Sequence, residues 1–130
     1  MSDYYESALL RLRRIVSYLN VLYEEAIKTH DLTPVQFEVL LFVDSSEPCS
    51  VSEVADFMVV DKSTSSRVLR GIQERGYIAV EHDSADRLRR KVSLTTNGRG
   101  AVDAIKGAWL QIEKDVRTRY DEAIEYLERN

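Results

Sequence analysis

The chain has 130 residues, of which 44% are hydrophobic and 31% are charged, with only 5 Gly and 2 Pro. This length is enough for one domain with a core but too short for two, and the composition is typical of a globular, helix-rich protein. The single cysteine, Cys49, excludes an intrachain disulfide framework, and the longest apolar run, residues 39–43, is too short to span a bilayer.

Charge is unevenly distributed along the chain. The net charge is −4, but residues 61–91 hold eight lysines and arginines against five acidic residues, so this stretch is +3 and the remainder is −7. An acidic protein with one basic stretch can place a single surface against a phosphate backbone. The first residues contain no basic segment followed by an apolar one, so we expect no secretory signal, a cytoplasmic protein and no membrane partner.

The first predicted element is a long amphipathic helix over about residues 3–29. Apolar residues recur there every three or four positions, which is the spacing of one helix face. Asp3 and Glu6 resemble a capping pair at its start. Such a helix would be about 40 Å long, which exceeds the width of a small domain.

A second helix is predicted to begin at Thr33. Thr33 is a good N-cap, Pro34 suits the first helical position, and Gln36 can complete a capping box. This helix is expected to end near residue 43, with residues 44–48 as a loop.

Two further helices are predicted in quick succession. Ser50 and Glu53 form another capping box and begin a short helix that ends near residue 59. Asp61 then caps a helix over residues 62–75, and Gly76 stands where a helix end favours positive φ.

After the fourth helix the apolar period changes from about 3.6 to 2, which indicates strands. Ile78 and Val80 alternate with polar or small residues, and so do Val92 and Leu94. Two short strands joined by a charged loop over residues 82–90 therefore predict a β-hairpin.

Two short helices joined by a tight turn and followed by a hairpin describe a winged helix-turn-helix. The predicted fold class is therefore mainly α with a small β-hairpin wing (α+β). The second of the two helices begins with small, polar and cationic side chains, which suit the major groove of DNA. Its candidate DNA-binding residues are Lys62, Ser63, Thr64, Ser65, Ser66, Arg67 and Arg70. Arg67 lies one turn into the helix, where its guanidinium can bond O6 and N7 of a guanine. Ser50 and Ser52, at the start of the preceding helix, are candidates for contacts with the DNA backbone.

Six short segments form a pattern that spans about residues 32–100. They are residues 32–40 (LTPVQFEVL), 52–55 (SEVA), 61–69 (DKSTSSRVL), 74–78 (ERGYI), 83–87 (DSADR) and 92–98 (VSLTTNG). In this order they strongly resemble the MarR family of bacterial and archaeal transcription regulators. The resemblance implies a homodimeric winged-helix DNA-binding protein, often a repressor that small ligands release. By position it assigns DNA-binding roles to Ser63, Thr64, Ser66, Arg67 and the wing aspartate Asp86.

The wing is where the sequence departs from the family pattern, which usually has Asp-x-Arg at the tip. Here Asp86 and Arg87 are followed by Leu88, and if strand geometry persists to the tip, alternation places Leu88 and Arg90 on the inward face. We expect Arg87 to enter an A·T-rich minor groove, Arg89 to contact a flanking phosphate and Asp86 to orient a guanidinium. The candidate DNA-binding residues of the wing are Asp86, Arg87, Arg89 and Lys91.

The terminal helices predict assembly. We expect a single domain over residues 1–130, with a DNA-binding module at 32–95 flanked by dimerisation helices at 3–30 and 96–129. The apolar stripes of the two terminal helices are too large for so small a module to cover. They must pack on each other or on a second copy, and a closed two-fold dimer is the commonest solution. Such a homodimer would bind a palindrome with half-sites about one helical turn apart.

Three aromatic residues are candidates for a pocket that binds a small-molecule effector: Tyr18, Tyr23 and Trp109. Packing in the core or at the dimer interface is the alternative for them. Two other functions stay open for the chain as a whole. One is a winged helix that binds proteins and has given up DNA, and the other is a ligand sensor with vestigial DNA affinity.

No feature of the sequence predicts catalysis or a cofactor. Cys49 has no second cysteine to resolve an oxidised thiol, so a redox switch is not expected. His30 and His82 lie far apart, and neither has a further ligand at metal-binding spacing on one helix face. We therefore expect neither an enzyme nor a metal site.

Overall fold

The computed structural model of the chain describes residues 7–86 and 88–129. This part of the chain forms five α-helices, a short 3₁₀ turn and three short strands. Their bounds are α1 (Ala8–Ile27), the 3₁₀ turn (Lys28–His30), α2 (Pro34–Ser46), β1 (Cys49–Ser50), α3 (Val51–Met58), α4 (Lys62–Glu74), β2 (Ile78–His82), β3 (Arg90–Leu94) and α5 (Thr96–Arg129).

The start of α1 is capped by Ser7, whose hydroxyl accepts the N–H of Leu10 at 3.5 Å. The predicted capping pair, Asp3 and Glu6, lies outside the described residues. At its other end α1 passes into the 3₁₀ turn, which closes with Asp31 in the left-handed conformation at φ 54°. Aspartate is one of the residues that tolerate this conformation.

The predicted capping box at the start of α2 is confirmed. The Thr33 hydroxyl accepts the N–H of Gln36 at 3.1 Å, and the Gln36 side chain accepts the N–H of Thr33 at 3.0 Å. The predicted end near residue 43 is wrong, because α2 continues to Ser46. The helix ends where Glu47 turns extended (ψ 134°) before Pro48, the conformation that a following proline imposes.

The caps of α3 and α4 are also confirmed. Ser50 and Glu53 form a capping box on α3, and the Asp61 carboxylate accepts the N–H of Thr64 at 2.7 Å at the start of α4. The turn between these helices contains Val59 with φ 56°, a conformation that is unusual for a β-branched residue. After α4 the chain turns at Gly76 with φ 77°, as the sequence predicts.

The sheet has three antiparallel strands in the order β1-β3-β2. The predicted hairpin is present, with Ile78 opposite Leu94 and Val80 opposite Val92. The sequence analysis missed β1, where Cys49 pairs with Val92. Two residues are too few to show a periodicity, so the sequence could not predict β1. Its strand conformation is defined by its pairing with β3.

The core is centred on α2, which packs against α1, α3, α4, α5 and β3. Phe37, Val39, Leu40 and Val43 of α2 are fully buried. Side chains of this size contribute about 1.5–3 kcal/mol each when they are removed from water. Since α2 is contacted from several sides, it positions the neighbouring α3 and α4.

The helix α5 runs without a break from Thr96 to Arg129. Its start is held against the sheet by Thr95, whose hydroxyl donates to the carbonyl of Gly76 and accepts the N–H of Gly98. A Cβ atom on Gly98 would lie 2.0 Å from the carbonyl oxygen of Tyr77, so a glycine is required there. Among the described helices none is both long and apolar enough to cross a membrane.

Candidate nucleic-acid interface

The N-terminus of α4 is organised by Asp61. Its carboxylate accepts both the backbone N–H of Thr64 and the hydroxyl of Ser63, the latter at 2.9 Å. These hydrogen bonds, the backbone one first, hold the pKa of Asp61 below its ordinary value. The carboxylate is therefore charged at neutral pH, and the first turn of α4 is fixed before any ligand arrives.

The outer face of α4 carries the predicted cationic and hydroxyl side chains. Lys62, Ser63, Arg67 and Arg70 are exposed, and Thr64 and Ser66 are partly exposed. The Arg67 guanidinium donates to the Thr64 hydroxyl at 3.4 Å. Arg67 thus lies along the helix one turn from its start, with its remaining N–H groups open to solvent.

The expectation that Ser65 contacts DNA is wrong. Ser65 is completely buried, and its hydroxyl has no hydrogen-bond partner within the described residues. The reason is the helical period: Ser65 precedes the buried residues Leu69 and Ile72 by four and seven positions, so all three share the inner face. A run of hydroxyl residues in the sequence did not reveal which of them faces inward.

The two serines of α3 also differ from each other. Ser50 is 6% exposed, and its hydroxyl accepts the N–H of Glu53 at 3.0 Å, so its side chain serves the helix cap. In this cap the Ser50 hydroxyl acts only as an acceptor, and Ser50 also borders an open pocket between α3 and α4, so its expected contact with the DNA backbone stays a prediction. Ser52 is exposed, as such a contact requires.

An open pocket of about 200 Å³ lies between α3, α4 and the wing. The wing is here the loop from Asp83 to Arg89 together with the start of β3. Ser52, Lys62, Ser66, Arg89 and Arg90 are among the residues that line this pocket. Three cations and two hydroxyls around an open cavity form a surface that attracts anions. The structure therefore brings together residues from three elements that are up to 38 positions apart.

Arg90 was missed as a candidate. Strand alternation places it inward, but it is exposed and lines both this pocket and a neighbouring one that includes Ser66 and Arg70. Arg90 is the first residue of β3, where the sheet no longer covers the inward side. Its position in the basic stretch is the signal that points to it.

Several residues of the wing make internal hydrogen bonds. Arg89 donates from Nη2 to Oε1 of Glu53 at 2.8 Å, which ties the wing to α3. The Asp86 carboxylate accepts the N–H of Leu88 at 3.0 Å, so it supports the turn, and its expected role in orienting a guanidinium stays a prediction. Lys91 is partly exposed and lies opposite Glu81 in the sheet. Arg87 lies outside the described residues.

The predicted inward orientation of Leu88 is wrong. Its side chain is 97% exposed. The strand begins only at Arg90, so the alternation of β3 does not extend to the tip of the wing.

The aromatic candidates do not form one group. Tyr23 and Trp109 have ring centroids 5.1 Å apart, and Phe37 approaches Trp109 edge-on at 5.7 Å. This cluster lies where α1, α2 and α5 meet. Tyr18 is exposed and lies about 140° around α1 from Tyr23, so the expectation that it shares their pocket is wrong.

A half-buried carboxylate adjoins the aromatic cluster. The Tyr23 hydroxyl interacts with the side chain of Glu38, and burial raises the pKa of Glu38, an effect that the interaction with Tyr23 partly offsets. Burial, followed by the negative charge of Glu38, also raises the pKa of Tyr23. Tyr23 therefore stays protonated and can donate its hydrogen to Glu38 over the whole physiological range.

Cys49 is 1% exposed within the core, and burial raises the pKa of its thiol. A protonated, inaccessible thiol is chemically inert. Within the described residues no three His, Cys, Asp or Glu side chains gather to hold a metal ion.

Residues 30–87 of the chain match a family model whose description is the MarR family. The chain belongs to the MarR family. The resemblance carried by the six sequence segments is thereby confirmed, and so is the predicted winged-helix fold, mainly α with a small β wing.

Relatives of this MarR-family chain extend the match beyond the module. An HTH-type transcriptional regulator of Bacillus cereus is 34% identical over 94 residues, which is 72% of this chain and 62% of the relative. The chain thus spans less than two thirds of the length of the first curated relatives that it matches.

Solved structures match over nearly the whole chain. BpsR of Bordetella bronchiseptica, whose DNA binding is described as regulated by 6-hydroxynicotinic acid, has a TM-score of 0.84 at 28% identity, covering 99% of this chain and 95% of that one. CouR, described as a transcriptional repressor bound to a 23-mer DNA duplex, has a TM-score of 0.87 at 21% identity with the same coverage, which shows a shared fold. These relatives are transcriptional regulators and not enzymes.

Proposed function

We propose that this chain is a sequence-specific DNA-binding transcriptional regulator of the cytoplasm, a homodimeric repressor that binds a palindromic operator. The observation that carries the proposal is the exposed face of α4, where Lys62, Ser63, Arg67 and Arg70 project beside the cationic wing. In a chain of net charge −4, this concentration of cations on one surface favours a polyanion as the partner.

The geometry supports different roles for the individual residues. Arg67 lies one turn into α4 and presents a fork of N–H donors, which suits bidentate bonding to a guanine in the major groove. Lys62 and Ser52 border the pocket between α3 and α4, and we propose them as contacts with DNA phosphates. Of the wing candidates, Arg89 and Lys91 are proposed as contacts with the DNA backbone. The entry of Arg87 into the minor groove stays a prediction from the sequence.

Homodimerisation is supported by apolar side chains that the protomer leaves exposed. Leu9, Leu12 and Val16 lie at positions i, i+3 and i+7 of α1 with exposures of 62%, 48% and 55%, and Leu110 of α5 is 55% exposed. A stripe of this kind on a helix indicates a partner surface. We propose that α1 and α5, within the predicted dimerisation segments 3–30 and 96–129, form a two-fold interface.

Relief by a small-molecule effector is part of the proposal. The aromatic cluster of Tyr23 and Trp109 with the half-buried Glu38 joins the terminal helices to α2, and α2 supports α3 and α4. A ligand that displaced these rings would shift α2 and with it the DNA-binding helices. No cofactor is needed for this function.

The test is selection of bound sequences from random duplex DNA by the purified protein. We expect an enriched palindrome with half-sites about one helical turn apart. Absence of any enriched motif would favour the two alternatives, a protein-binding winged helix or a sensor with vestigial DNA affinity.

Two variants, tested on the selected duplex, distinguish a residue that contacts a base from one that contacts the DNA backbone. Arg67→Ala is expected to cost about 1–3 kcal/mol per half-site and to relax preference at one position. Lys62→Ala is expected to weaken binding evenly for selected and random duplexes and to flatten the salt dependence by about one unit per lost contact. If Arg67→Ala lowered both affinities equally, Arg67 would be a phosphate contact instead.

A further inference from the structure

Leu88, at the tip of the wing, is more exposed than any other large apolar side chain in the described part of the chain. An isolated exposed leucine is unremarkable on a protein surface, but this one is surrounded by polar and cationic groups. It shares the pocket between α3, α4 and the wing with Lys62, Ser66 and Arg89. Leu88 therefore lies on the same surface as the proposed DNA contacts.

Hydrogen bonds restrain Leu88 and the following residue, Arg89. The N–H of Leu88 donates to Oδ1 of Asp86, and the N–H of Arg89 donates to the Asp86 carbonyl at 3.0 Å. The N–H of Asp83 in turn donates to the carbonyl of Arg89 at 2.8 Å, which closes the loop. Because Asp86 and Asp83 restrain the backbone of Leu88 and Arg89, the tip presents an aliphatic side chain at low entropic cost.

The cations around Leu88 would contact DNA phosphates. An aliphatic side chain gains no binding energy from a phosphate, so Leu88 needs an apolar environment. The apolar environment that a DNA duplex offers beside an occupied major groove is the adjacent minor groove, with its sugar walls and stacked bases. Proteins that place leucine there open a base step and bend the duplex toward the major groove. The cost depends on the step, and it is lowest for flexible pyrimidine–purine steps such as TA and CA/TG.

We propose that Leu88 enters the minor groove that flanks each half-site and selects deformable TA or CA/TG steps there. This inference rests on the proposed function and names a specificity-determining residue for it. Sequence preference at the flank then comes from the ease with which a step opens, without hydrogen bonds from the wing tip to base edges.

The experiment repeats the random-duplex selection with full-length wild type, Leu88→Ala and Val35→Ala. Val35 is a partly exposed apolar residue of α2 and serves as the matched control. We expect wild type and Val35→Ala to enrich TA or CA/TG at a fixed distance outside each half-site. Leu88→Ala should keep the central palindrome and lose this flank preference, with affinity reduced about tenfold for the dimer.

Salt dependence separates an apolar contact from an electrostatic one. On the wild-type selected duplex, Leu88→Ala should leave the slope of log affinity against log salt unchanged, because no phosphate contact is lost. Leu88→Arg should steepen the slope by about two units for the dimer, one per wing. Thermal unfolding of both variants should match wild type, since the side chain is exposed.

The outcomes are distinguishable. If wild type enriches no motif, the proposed function fails. If wild type enriches a palindrome whose flanks Leu88→Ala leaves unchanged, the function stands and this inference is overturned. A weaker Leu88→Ala variant with an intact flank preference, or with a flatter salt slope, overturns it as well.

Discussion

The guanidinium of Arg89 lies 2.8 Å from the same carboxylate oxygen of Glu53 that accepts the N–H of Ser50 at 3.2 Å. The Glu53 side chain therefore both caps α3 and, through Arg89, connects α3 to the wing. The hydrogen bonds from Ser50, followed by those from Arg89, keep the pKa of Glu53 below its ordinary value. Because both partners are about half exposed, Arg89 can leave Glu53 for a phosphate without exposing a buried charge.

The first prediction concerns this pair. Glu53→Gln keeps an acceptor for the Ser50 N–H but removes the negative charge beside Arg89. We expect several-fold tighter binding to a random-sequence duplex, measured by fluorescence anisotropy at fixed salt, because an anion near the phosphates is gone. Arg89→Ala is the opposing variant and should weaken binding and flatten its salt dependence. Weaker binding by Glu53→Gln would mean that Glu53 holds the wing in its binding position.

The second prediction concerns Ser65, whose buried hydroxyl has no partner in the described structure. Ser65→Ala should raise the free energy of unfolding by about 1 kcal/mol, since it removes an unsatisfied polar group and improves helix propensity. Chemical denaturation checks this. Affinity for DNA should not change, and Ser63→Ala, an exposed neighbour on the same helix, should give no such gain. A large loss of DNA affinity in Ser65→Ala would restore it as a contact.

The third prediction concerns Val59 in the turn between α3 and α4. A β-branched residue at φ 56° is strained, and Asn tolerates this conformation better. Val59 is 87% exposed, so its side chain contributes little packing. Val59→Asn should therefore raise the free energy of unfolding by about 1 kcal/mol. Val35→Asn, in a helical position, should not stabilise, and equal effects of the two changes would argue against strain.

The fourth prediction tests assembly. Wild type should sediment as a dimer of about twice 14.9 kDa. Leu12→Glu places a charge in the exposed stripe of α1 and should shift the protein toward monomer at micromolar concentration. Ser17→Glu is the matched control, because it lies about 140° around the helix from Leu12. Wild type that sediments as a folded monomer would contradict the proposed interface.

The fifth prediction is a pH dependence of stability. Burial raises the folded-state pKa of Glu38 above its ordinary value of 4.5. Just above that value the folded state binds more protons than the unfolded state, so the free energy of unfolding falls as pH rises through the folded pKa. Glu38→Gln lacks this loss and should gain stability relative to wild type as the pH rises above 4.5, until the Glu38 carboxyl is charged in both states.

Thermal unfolding at fixed protomer concentration measures this gain. Glu24→Gln, at an exposed position of α1, is the matched control for the loss of a carboxylate. A stability difference between Glu38→Gln and wild type that does not change with pH would show that the Glu38 carboxyl is not desolvated.

Local features of the fold followed from the sequence alone. The caps at Thr33, Ser50 and Asp61 and the positive φ of Gly76 involve hydrogen bonds and steric limits within about four residues. Such interactions are complete within the segment, so the order of helices and the hairpin could be predicted. The ordered set of segments also identified the family.

Only the tertiary structure decided what each side chain near the site faces. Ser65 and Ser63 have similar chemistry, but the packing of α4 on the core buries one and exposes the other. Leu88 was placed inward by strand alternation, yet the sheet ends before it and leaves nothing there to cover it. The pairing of Arg89 with Glu53 spans 36 residues. Burial and ion pairing depend on elements that are distant in the sequence, and a local sequence pattern cannot predict where those elements pack.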